Sequence, residues 1–287
     1  MHWKTKARIQ KIISRLPLAG RLNYFLQRYV NHSLPMSMEV FEQKYFAAKQ
    51  HLQAFAHGED IKAGAIAYEF GGGYDLAVPI ALWEEGVPRQ MVADLNPLLK
   101  IELVNNVLDR RGAELQVKSV AELNAKTGIE YRTSIDARKT GFETASFDYI
   151  HSTDTLEHIP QNNILPILQE CYRLLKAGGI ISCIIDLQDH YQYTDKSISP
   201  FNFYQYSWEE WDDLYNNNLH YQNRLLANEY YTQFALAGFA PIQMQVTKAD
   251  TSVIEKLKTM PLNAHYANKP FDDLCNLRCH IWAEKPD

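Results

Sequence analysis

Residues 65–86 read AIAYEFGGGYDLAVPIALWEEG and place three consecutive glycines between an apolar run and a helix-forming run. Ile66–Phe70 has the composition of a buried strand, and a helix is predicted at about residues 75–85. Glycine has no Cβ, so a ligand can lie directly against the backbone of residues 71–73. In an open parallel sheet, ligands bind where the first strand turns into its helix. This stretch therefore predicts an α/β fold with a binding site at the glycine turn.

The same alternation of strand-like and helix-like runs continues through the rest of the chain. Further strands are predicted at residues 90–95, 129–135, 147–152, 180–186, 242–247 and 277–284. The clearest further helices are predicted at residues 38–57, 96–110, 162–176 and 229–237. Asn96 is the expected cap of the second of these helices, and Gly178 and Gly179 are expected to end the third. Seven strands alternating with helices predict a largely parallel sheet.

The chain divides by composition into two parts. Residues 1–57 are predicted to form a helical, basic N-terminal segment, and residues 58–287 the α/β domain. Within the domain the alternation fails at about residues 187–228, which are rich in Tyr, Asn, Gln and Trp. Flexible linkers do not carry so many aromatic residues, so this region is predicted to be an insertion.

Charge is unevenly distributed along the chain. No acid precedes Glu39, whereas seven of the 29 basic residues do, which leaves 22 basic residues against all 34 acidic ones. The acidic remainder argues against general binding to nucleic acid. No apolar run approaches the roughly 20 residues that span a bilayer. The four cysteines form no C-x-x-C pair, which favours reduced thiols in a cytoplasmic protein.

The N-terminal segment carries its cations at helical spacing. Lys4, Arg8, Lys11 and Arg15 repeat beside apolar residues, and Pro17 interrupts the pattern, which predicts two short basic amphipathic helices. One interpretation is a lid or packing helix with solvated cations. The other is docking of residues 1–30 on an anionic membrane surface or on a partner. An amphipathic segment without acids also resembles a transit peptide.

A carboxylate follows the glycine turn at an informative distance. Asp94 ends the second predicted strand 21 residues after Gly73, where it can accept hydrogen bonds from both hydroxyls of a ribose, and this predicts a nucleoside cofactor. The dinucleotide fingerprint G-x-G-x-x-G needs glycine where the chain has Leu76, and Glu69 and Asp75 disfavour a pyrophosphate. The same acids favour a ligand with an ammonium and a sulfonium group. Electrostatics therefore points to S-adenosylmethionine.

Five motifs in order resemble those of the class I S-adenosylmethionine-dependent methyltransferases. They lie at residues 69–73, 94–95, 135–137, 147–159 and 174–179, and the close likeness covers roughly residues 65–186. Asp75 stands where the first motif of the family has its last glycine. The resemblance implies a Rossmann-like, seven-stranded, mostly parallel sheet with helices on both faces over residues 58–287.

The resemblance also assigns cofactor contacts to individual positions. Asp94 would bind the ribose, Leu95 would pack on the adenine, and Asp136 would accept a hydrogen bond from the adenine amino group. The implied cofactor-binding residues are Glu69, Gly71, Gly72, Gly73, Asp94, Leu95, Asp136, Ala137 and Ser152.

Methyl transfer to a hydroxyl needs alignment of the reactants and removal of a proton. His190, just beyond the fifth predicted strand, is the first candidate base because imidazole titrates near neutrality; Asp189 and His158 complete the candidate catalytic set. The non-catalytic interpretations are that His190 is an ordinary surface-loop residue and that His158 stabilises its own helix. Asp154, Asp186 and Asp189 carry oxygen ligands that suit Mg²⁺, but they share no obvious face, and no metal site is predicted.

The predicted function is O-methylation of a small-molecule or saccharide acceptor, with S-adenosylmethionine as the cofactor. Aromatic residues of the insertion either wall the acceptor pocket, since Tyr and Trp suit sugars, or form the core of the insertion. Arg224 could pair with an anionic acceptor or with a nearby acid. Two alternatives stay open at this point: a dinucleotide-dependent oxidoreductase, which Asp94 would also serve, and a non-catalytic cofactor-binding scaffold. The expected location is the cytoplasm, with peripheral membrane contact through the N-terminal segment as a further expectation.

Overall fold

A computed structural model of the chain describes residues 2–30, 32–56, 61–112 and 114–286. Its seven strands are β1 Ile66–Phe70, β2 Arg89–Asp94, β3 Ile129–Thr133, β4 Phe147–Thr153, β5 Leu175–Asp186, β6 Ile242–Lys248 and β7 Asn276–Glu284. They form one sheet in the order β3-β2-β1-β4-β5-β7-β6. Only β7 runs antiparallel to its neighbours; the other pairs are parallel. The predicted α/β, Rossmann-like sheet of seven mostly parallel strands is confirmed.

Helices connect the strands and precede the first of them. The α-helices are α1 Trp3–Ile13, α2 Ala19–Phe25, α3 Met38–Ala56, α4 Ala77–Glu84, α5 Ile101–Arg110, α6 Val120–Thr127, α7 Gln161–Leu174, α8 Trp208–Leu214, α9 Ala227–Leu236, α10 Thr251–Lys258, α11 Ala264–Ala267 and α12 Phe271–Leu274. A π-helical turn, Leu26–Val30, follows α2, and 3-10 turns lie at Leu156–His158, His190–Tyr193 and Asn202–Gln205.

Apolar side chains cover both faces of the sheet. Successive strand residues point to opposite faces, so neighbouring residues of β1 enter different cores. Tyr68 packs in the core that α7 and α9 complete, whereas Ala67 packs in the core that α3 to α6 complete. The carboxyl ends of β1, β2 and β4 consequently meet at one edge of a sheet that is held rigidly between two apolar layers.

Long-range pairing displaces two of the predicted helix boundaries. The helix expected to begin at Asn96 begins at Ile101, because Lys100 N–H donates to the Tyr74 carbonyl and the Tyr131 hydroxyl accepts from the backbone of residues 98 and 99. The helix expected to continue to residue 176 ends at Leu174, since Leu175 already pairs with β4. The glycines at 178 and 179 therefore lie within β5.

The helix after the glycine turn begins two residues later than predicted. Leu76 adopts a left-handed conformation with φ of 55°, and α4 starts at Ala77. Pro79 then falls in the first helical turn, where a residue without an N–H is tolerated. Asp75 Oδ1 accepts from the Ala77 N–H at 3.1 Å, which fixes the turn against the start of α4.

The aromatic insertion packs into a core that it shares with the N-terminal helix and with apolar residues between positions 249 and 275. Trp3 of α1 is buried, and its ring lies 4.7 Å from that of Tyr215 and 5.4 Å from that of Tyr191. Most of the insertion's aromatic side chains are buried with it, including Tyr191, Phe201, Phe203, Tyr204 and Trp211. The core interpretation of these aromatics is therefore correct for the buried set.

The predicted boundary between the N-terminal segment and the α/β domain, at residues 57 and 58, lies outside the described residues, so that division stays a prediction. The helices that the sequence predicts in residues 1–57 are present as α1, α2 and α3. None of the helices described is long and apolar enough to cross a bilayer.

Candidate functional site

The glycine turn is packed so tightly that two of its positions exclude any side chain. A Cβ on Gly71 would lie 2.5 Å from Thr155, and a Cβ on Gly72 would lie 2.3 Å from Val92 Cγ1. Gly71 and Gly73 also have φ of 86° and 71°, in the region that favours glycine. At Gly73 a Cβ would meet no atom, so the space above this residue is open. The turn presents bare backbone to that space.

A cavity of about 460 Å³ opens at this turn, beyond the carboxyl ends of β1, β2 and β4. Its lining includes Gly71, Gly73, Asp94, Leu95 and Asp136, all of which the sequence predicted as cofactor residues. Ala137 lines it as well. The strand ends therefore bring together residues from three separate motifs, as a cofactor site at the first strand-to-helix turn requires.

Asp94 is the best-prepared cofactor ligand in this cavity. Its Oδ2 accepts hydrogen bonds from the Gly73 N–H at 3.2 Å and from the Tyr131 hydroxyl at 3.0 Å. No donor from the described residues reaches Oδ1, which leaves that oxygen for a ligand. Burial raises the pKa of Asp94 to about 6, against the pull of those two donors. A ribose diol would supply the hydrogen bonds that the buried carboxylate still lacks.

A smaller cavity of about 300 Å³ adjoins the first and shares Gly71, Gly73 and Asp154 with it. It combines the carboxylates of Glu69 and Asp75 with the ammonium of Lys44, which lies 3.2 Å from Asp75 Oδ1. Glu69 Oε2 is buried without a hydrogen-bond partner among the described residues. Burial, followed by the neighbouring charge of Asp94, raises the pKa of Glu69 well above its ordinary value.

This charge pattern fits the amino-acid end of S-adenosylmethionine. An ammonium group would satisfy the unpartnered oxygen of Glu69, and Lys44 would face a carboxylate. The adjoining larger cavity would take the nucleoside. Of the two acids that disfavour a pyrophosphate, Asp75 already pairs with Lys44, and Glu69 is the buried acid that a ligand ammonium would satisfy.

Two side chains were predicted to contact the adenine: Leu95 is free to do so, whereas Asp136 is already paired with Arg138. Leu95 is exposed and lines the cavity, free to pack against a base. Asp136 lines it too, but both of its oxygens accept from the Arg138 guanidinium, which lowers the pKa of Asp136. Arg138 in turn donates to Asn163 Oδ1 at 3.1 Å. Any bond from an adenine amino group would therefore use a remaining lone pair of Asp136.

Some site residues were predicted in the wrong place or missed. Ser152 is buried and lines neither cavity; its hydroxyl donates to the Phe70 carbonyl at 3.0 Å and so braces the end of β1. Lys44 and Tyr131 were missed because they come from α3 and β3 and carry no local motif. Thr155 lines the cofactor cavity but was not predicted as a cofactor residue, although it lies inside the motif at residues 147–159.

A second large cavity, of about 850 Å³, meets the cofactor cavities at Asp154. Carboxylates and carboxamides dominate its polar lining, and two exposed aromatic rings, Phe46 and Tyr193, stand among them. The polar lining residues are Glu39, Glu42, Gln43, Gln50, Asp154, Glu157, Asp186, Gln188, His190, Thr247 and Arg278. This cavity is the place where an acceptor would meet the cofactor.

His190 lines this acceptor cavity, as a candidate base must. Its Nε2 lies 3.2 Å from Asp186 Oδ2 at the end of β5, and its ring centroid lies 4.9 Å from that of His158. His158 lines the cofactor cavity and is held through its Nδ1, 2.8 Å from the Tyr221 carbonyl. Two of the three predicted catalytic residues thus lie together at the junction of the cavities.

Asp189, the third, lies elsewhere. It is fully buried, and its carboxylate accepts from the Tyr191 N–H at 2.9 Å and from Asn202 Nδ2 at 2.8 Å, so it caps a turn inside the insertion. Arg224 is likewise committed: its guanidinium donates to the carbonyls of Phe203 and Ser207. The structure brings neither residue into the acceptor cavity.

Comparisons with known proteins agree with this geometry. A family model described as a methyltransferase domain matches residues 97–183, from just after β2 to within β5. Among solved structures, the chain resembles phosphoethanolamine N-methyltransferase 2 of Haemonchus contortus in complex with S-adenosyl-L-methionine, at 16% identity and a TM-score of 0.53 over 92% of this chain. It covers only 59% of that protein.

Two further likenesses have the same level of similarity. A geranyl diphosphate methyltransferase in complex with GPP and sinefungin shares 13% identity, with a TM-score of 0.51 over 84% of this chain and 78% of that one. The [4+2]-cyclase SpnF shares 12% identity, with a TM-score of 0.51 over 84% of this chain and 80% of that one. At such identities the structures establish the fold alone. No curated protein matches the sequence.

Proposed function

Because the chain is a class I S-adenosylmethionine-dependent methyltransferase, we propose that it O-methylates a hydroxyl group of a small molecule or a saccharide. S-adenosylmethionine is its cofactor. The observation that carries the proposal is the acceptor cavity of about 850 Å³, which joins the cofactor cavities at Asp154 and has the lining of a site for a hydroxylated ligand.

The acceptor cavity combines the two features that sugars need. Hydroxyl groups donate well to carboxylate and carboxamide oxygens, and Glu39, Glu42 and Gln188 supply these in the cavity. The apolar face of a sugar ring packs on an aromatic ring, and Phe46 and Tyr193 are 63% and 49% exposed. These two exposed rings would provide an apolar surface against which the acceptor packs.

The residues of this chain have three tasks in the reaction. Glu69, Asp75 and Lys44 would hold the amino-acid end of the cofactor, and Asp94 its ribose, so that the donor is fixed relative to the acceptor cavity. When bound, the cofactor supplies an electrophilic methyl group on a sulfonium. The remaining task is to take up the hydroxyl proton, and the pair of His190 and Asp186 stands at the cavity junction to do so.

An acceptor screen tests the proposal. Purified protein and S-adenosylmethionine are incubated with saccharides and phenols, each matched with its amino counterpart, and S-adenosylhomocysteine formation is measured. We expect turnover with a hydroxylated acceptor, and mass spectrometry should locate the new methyl group on oxygen.

Methylation of the amino counterparts alone would overturn O-methylation. One observation favours that second candidate: carboxylates outnumber cationic side chains in the acceptor cavity, where Arg278 stands against Glu39, Glu42, Asp154 and their neighbours, and an ammonium group would complement them.

We also propose that the protein is cytoplasmic and contacts membranes through residues 2–30. Eight large apolar side chains of this segment are exposed: Ile9, Ile12, Leu16, Leu18, Leu22, Phe25, Tyr29 and Val30. They stand among seven cations without an acid, while the rest of the chain is acidic. Anionic lipid complements this surface in both charge and polarity. Burial of Trp3 against the insertion would fix α1 to the body of the protein at the same time.

Vesicle sedimentation checks the membrane contact. Ile12→Ser together with Leu18→Ser removes side chains that are 64% and 66% exposed, so folding should be preserved. Each such side chain contributes about 1.5–3 kcal/mol when buried in an apolar phase, so we expect at least about tenfold weaker binding to phosphatidylserine vesicles. Leu214→Ser with Leu236→Ser, at exposed sites elsewhere, is the matched control. Equal binding of both double variants and the native protein would contradict the proposal.

A further inference from the structure

Three potential metal ligands converge at the junction of the cofactor and acceptor cavities. Glu157 and His158 lie in the 3-10 turn after β4, and His190 lies in the 3-10 turn after β5. One ligand atom from each side chain lies within 4.8 Å of the others. The pairing of β4 with β5 brings the two turns together, although they are more than 30 residues apart in sequence.

The two histidines have surroundings that suit metal ligands. A ligating histidine typically uses one ring nitrogen for the metal and directs the other at a carbonyl or carboxylate. His158 Nδ1 lies 2.8 Å from the Tyr221 carbonyl, which leaves its Nε2 for a ligand. His190 Nε2 lies 3.2 Å from Asp186 Oδ2 but makes no hydrogen bond with the described residues.

Glu157 supplies an independent sign of a cation site. The residue is only 2% exposed, and its Oε2 is buried without a hydrogen-bond partner in the described part of the chain. Its Oε1 has only a long contact, 3.4 Å, with the Asp186 N–H. An unpaired buried carboxylate oxygen is costly unless a cation or donor satisfies it.

The surrounding charge points the same way. Asp154, Glu157 and Asp186 line the acceptor cavity together, and the cation among them is Arg278, whose Nη2 lies 2.7 Å from Asp154 Oδ1. Three carboxyl groups therefore stand against one guanidinium at this junction, and a divalent cation would complement them.

We propose that Glu157, His158 and His190 bind one divalent transition-metal ion. Two imidazole nitrogens and one carboxylate oxygen form a donor set that suits Zn²⁺, Fe²⁺ or Mn²⁺, and three protein ligands leave positions open for an acceptor. Ligands about 2.0–2.1 Å from a tetrahedral ion lie roughly 3.4 Å apart, so the ligand atoms, which lie within 4.8 Å of one another, need to approach by at most about 1.4 Å. The aspartates that suggested Mg²⁺ from the sequence are not the ligands.

The role of the ion rests on the proposed O-methylation, whereas its binding does not. The ion would polarise the acceptor hydroxyl, and the hydroxyl proton would be released to solvent. The O–CH₃ bond forms as the S–CH₃ bond breaks, and the electron pair of the broken bond stays on sulfur. His190 would then act in its pair with Asp186 as a ligand that Asp186 orients.

Binding of Mn²⁺ and Zn²⁺ to the full-length protein, freed of metal by a chelator, tests the site. Paramagnetic resonance of Mn²⁺ and calorimetry with Zn²⁺ should show one ion per chain. Glu157→Gln and His158→Gln should each weaken binding by at least about tenfold. His265→Gln is the matched control, because His265 also lies near a glutamate, Glu229, at 3.9 Å, but lines neither the cofactor cavities nor the acceptor cavity. Circular dichroism verifies that each variant is folded.

No bound ion, or equal binding by all variants, would overturn the proposal. The failure of the site and the failure of O-methylation are distinguishable. If no ion binds and the metal-free protein methylates a hydroxylated acceptor, the metal site falls and O-methylation stands. If Mn²⁺ binds and depends on Glu157 and His158 while only amines are methylated, the site stands and O-methylation falls.

Discussion

Replacing His190 with alanine will lower turnover by roughly 100- to 10,000-fold, the usual contribution of a group that handles the proton in a transition state. His190 lines the acceptor cavity and pairs with Asp186, but it does not line the cofactor cavity. The affinity for S-adenosylhomocysteine should therefore stay unchanged. Steady-state kinetics with an acceptor from the screen, together with calorimetry of cofactor binding, measure both quantities on the same protein.

The control is His265→Ala, which removes an imidazole outside the cavities. Asp186→Asn should reproduce part of the loss, because an amide can hold the ring but cannot take up a proton. Full activity of His190→Ala would make His190 a structural loop residue. A parallel loss of cofactor affinity would mean that His190 supports the cofactor site instead, and the assignment of the proton to this pair would fail.

Replacing Asp94 with alanine will weaken cofactor binding by at least about tenfold. Hydrogen bonds to a charged group contribute about 1.5–3 kcal/mol, and 1.4 kcal/mol is a factor of ten in affinity. Asp94 lines the cavity and its Oδ2 is held by Gly73 and Tyr131, so the carboxylate is oriented before the ligand arrives. Titration calorimetry with S-adenosylhomocysteine measures the loss. Unchanged affinity would remove the ribose assignment.

The pH dependence of cofactor affinity distinguishes the contribution of the charge of Asp94 from that of the shape of its side chain. Its pKa of about 6 means that the carboxylate gains a proton as pH falls from 7 to 5, so affinity for S-adenosylhomocysteine should fall over that range. Asp94→Asn keeps the shape without the titration. Its binding should be weak and should vary less with pH; any dependence that persists would come from the other buried acid at the turn, Glu69.

The effect of Asp94 on stability has the opposite sign. Its pKa in the folded protein lies above the ordinary value of 3.8, so the folded state binds the proton more tightly than the unfolded state. The contribution of Asp94 to the free energy of unfolding is therefore fully present below about pH 4 and is lost as pH rises through about 6. A fall in cofactor affinity between pH 7 and 5 consequently cannot be attributed to Asp94 unfolding the protein.

Local patterns were sufficient for the fold and for most of the cofactor site. The apolar run before residues 71–73, the acid at position 94 and the order of five motifs predicted the sheet and the cofactor, because strands in such a sheet deliver their carboxyl ends to a common edge. Gly71, Gly73, Asp94, Leu95, Asp136 and Ala137 all line the cofactor cavity. The roles of the individual residues stay predictions that the variants above test.

Errors arose where a distant contact outweighs a local signal. Asn96 followed by proline is a good helix start, but the Tyr74 carbonyl and the Tyr131 hydroxyl hold the next residues in an extended path. Asp189 stands beside His190 in sequence, yet its carboxylate turns into the insertion to bond Asn202. Side chains of adjacent residues can point in different directions after a strand has ended. The position of Asp189 next to His190 therefore did not place both side chains in the acceptor cavity.

The amino-acid sequence by itself determined the α/β architecture, the glycine turn and the acids that select a cationic nucleoside cofactor. These features depend on periodicity and on residue types at short spacing, which are local properties of the chain. Only the tertiary structure decided that Lys44 joins Asp75, that Trp3 fastens the N-terminal helix to the insertion, and that Glu157, His158 and His190 meet. Such contacts depend on the register between strands and on the packing of whole elements, which no short stretch of sequence encodes.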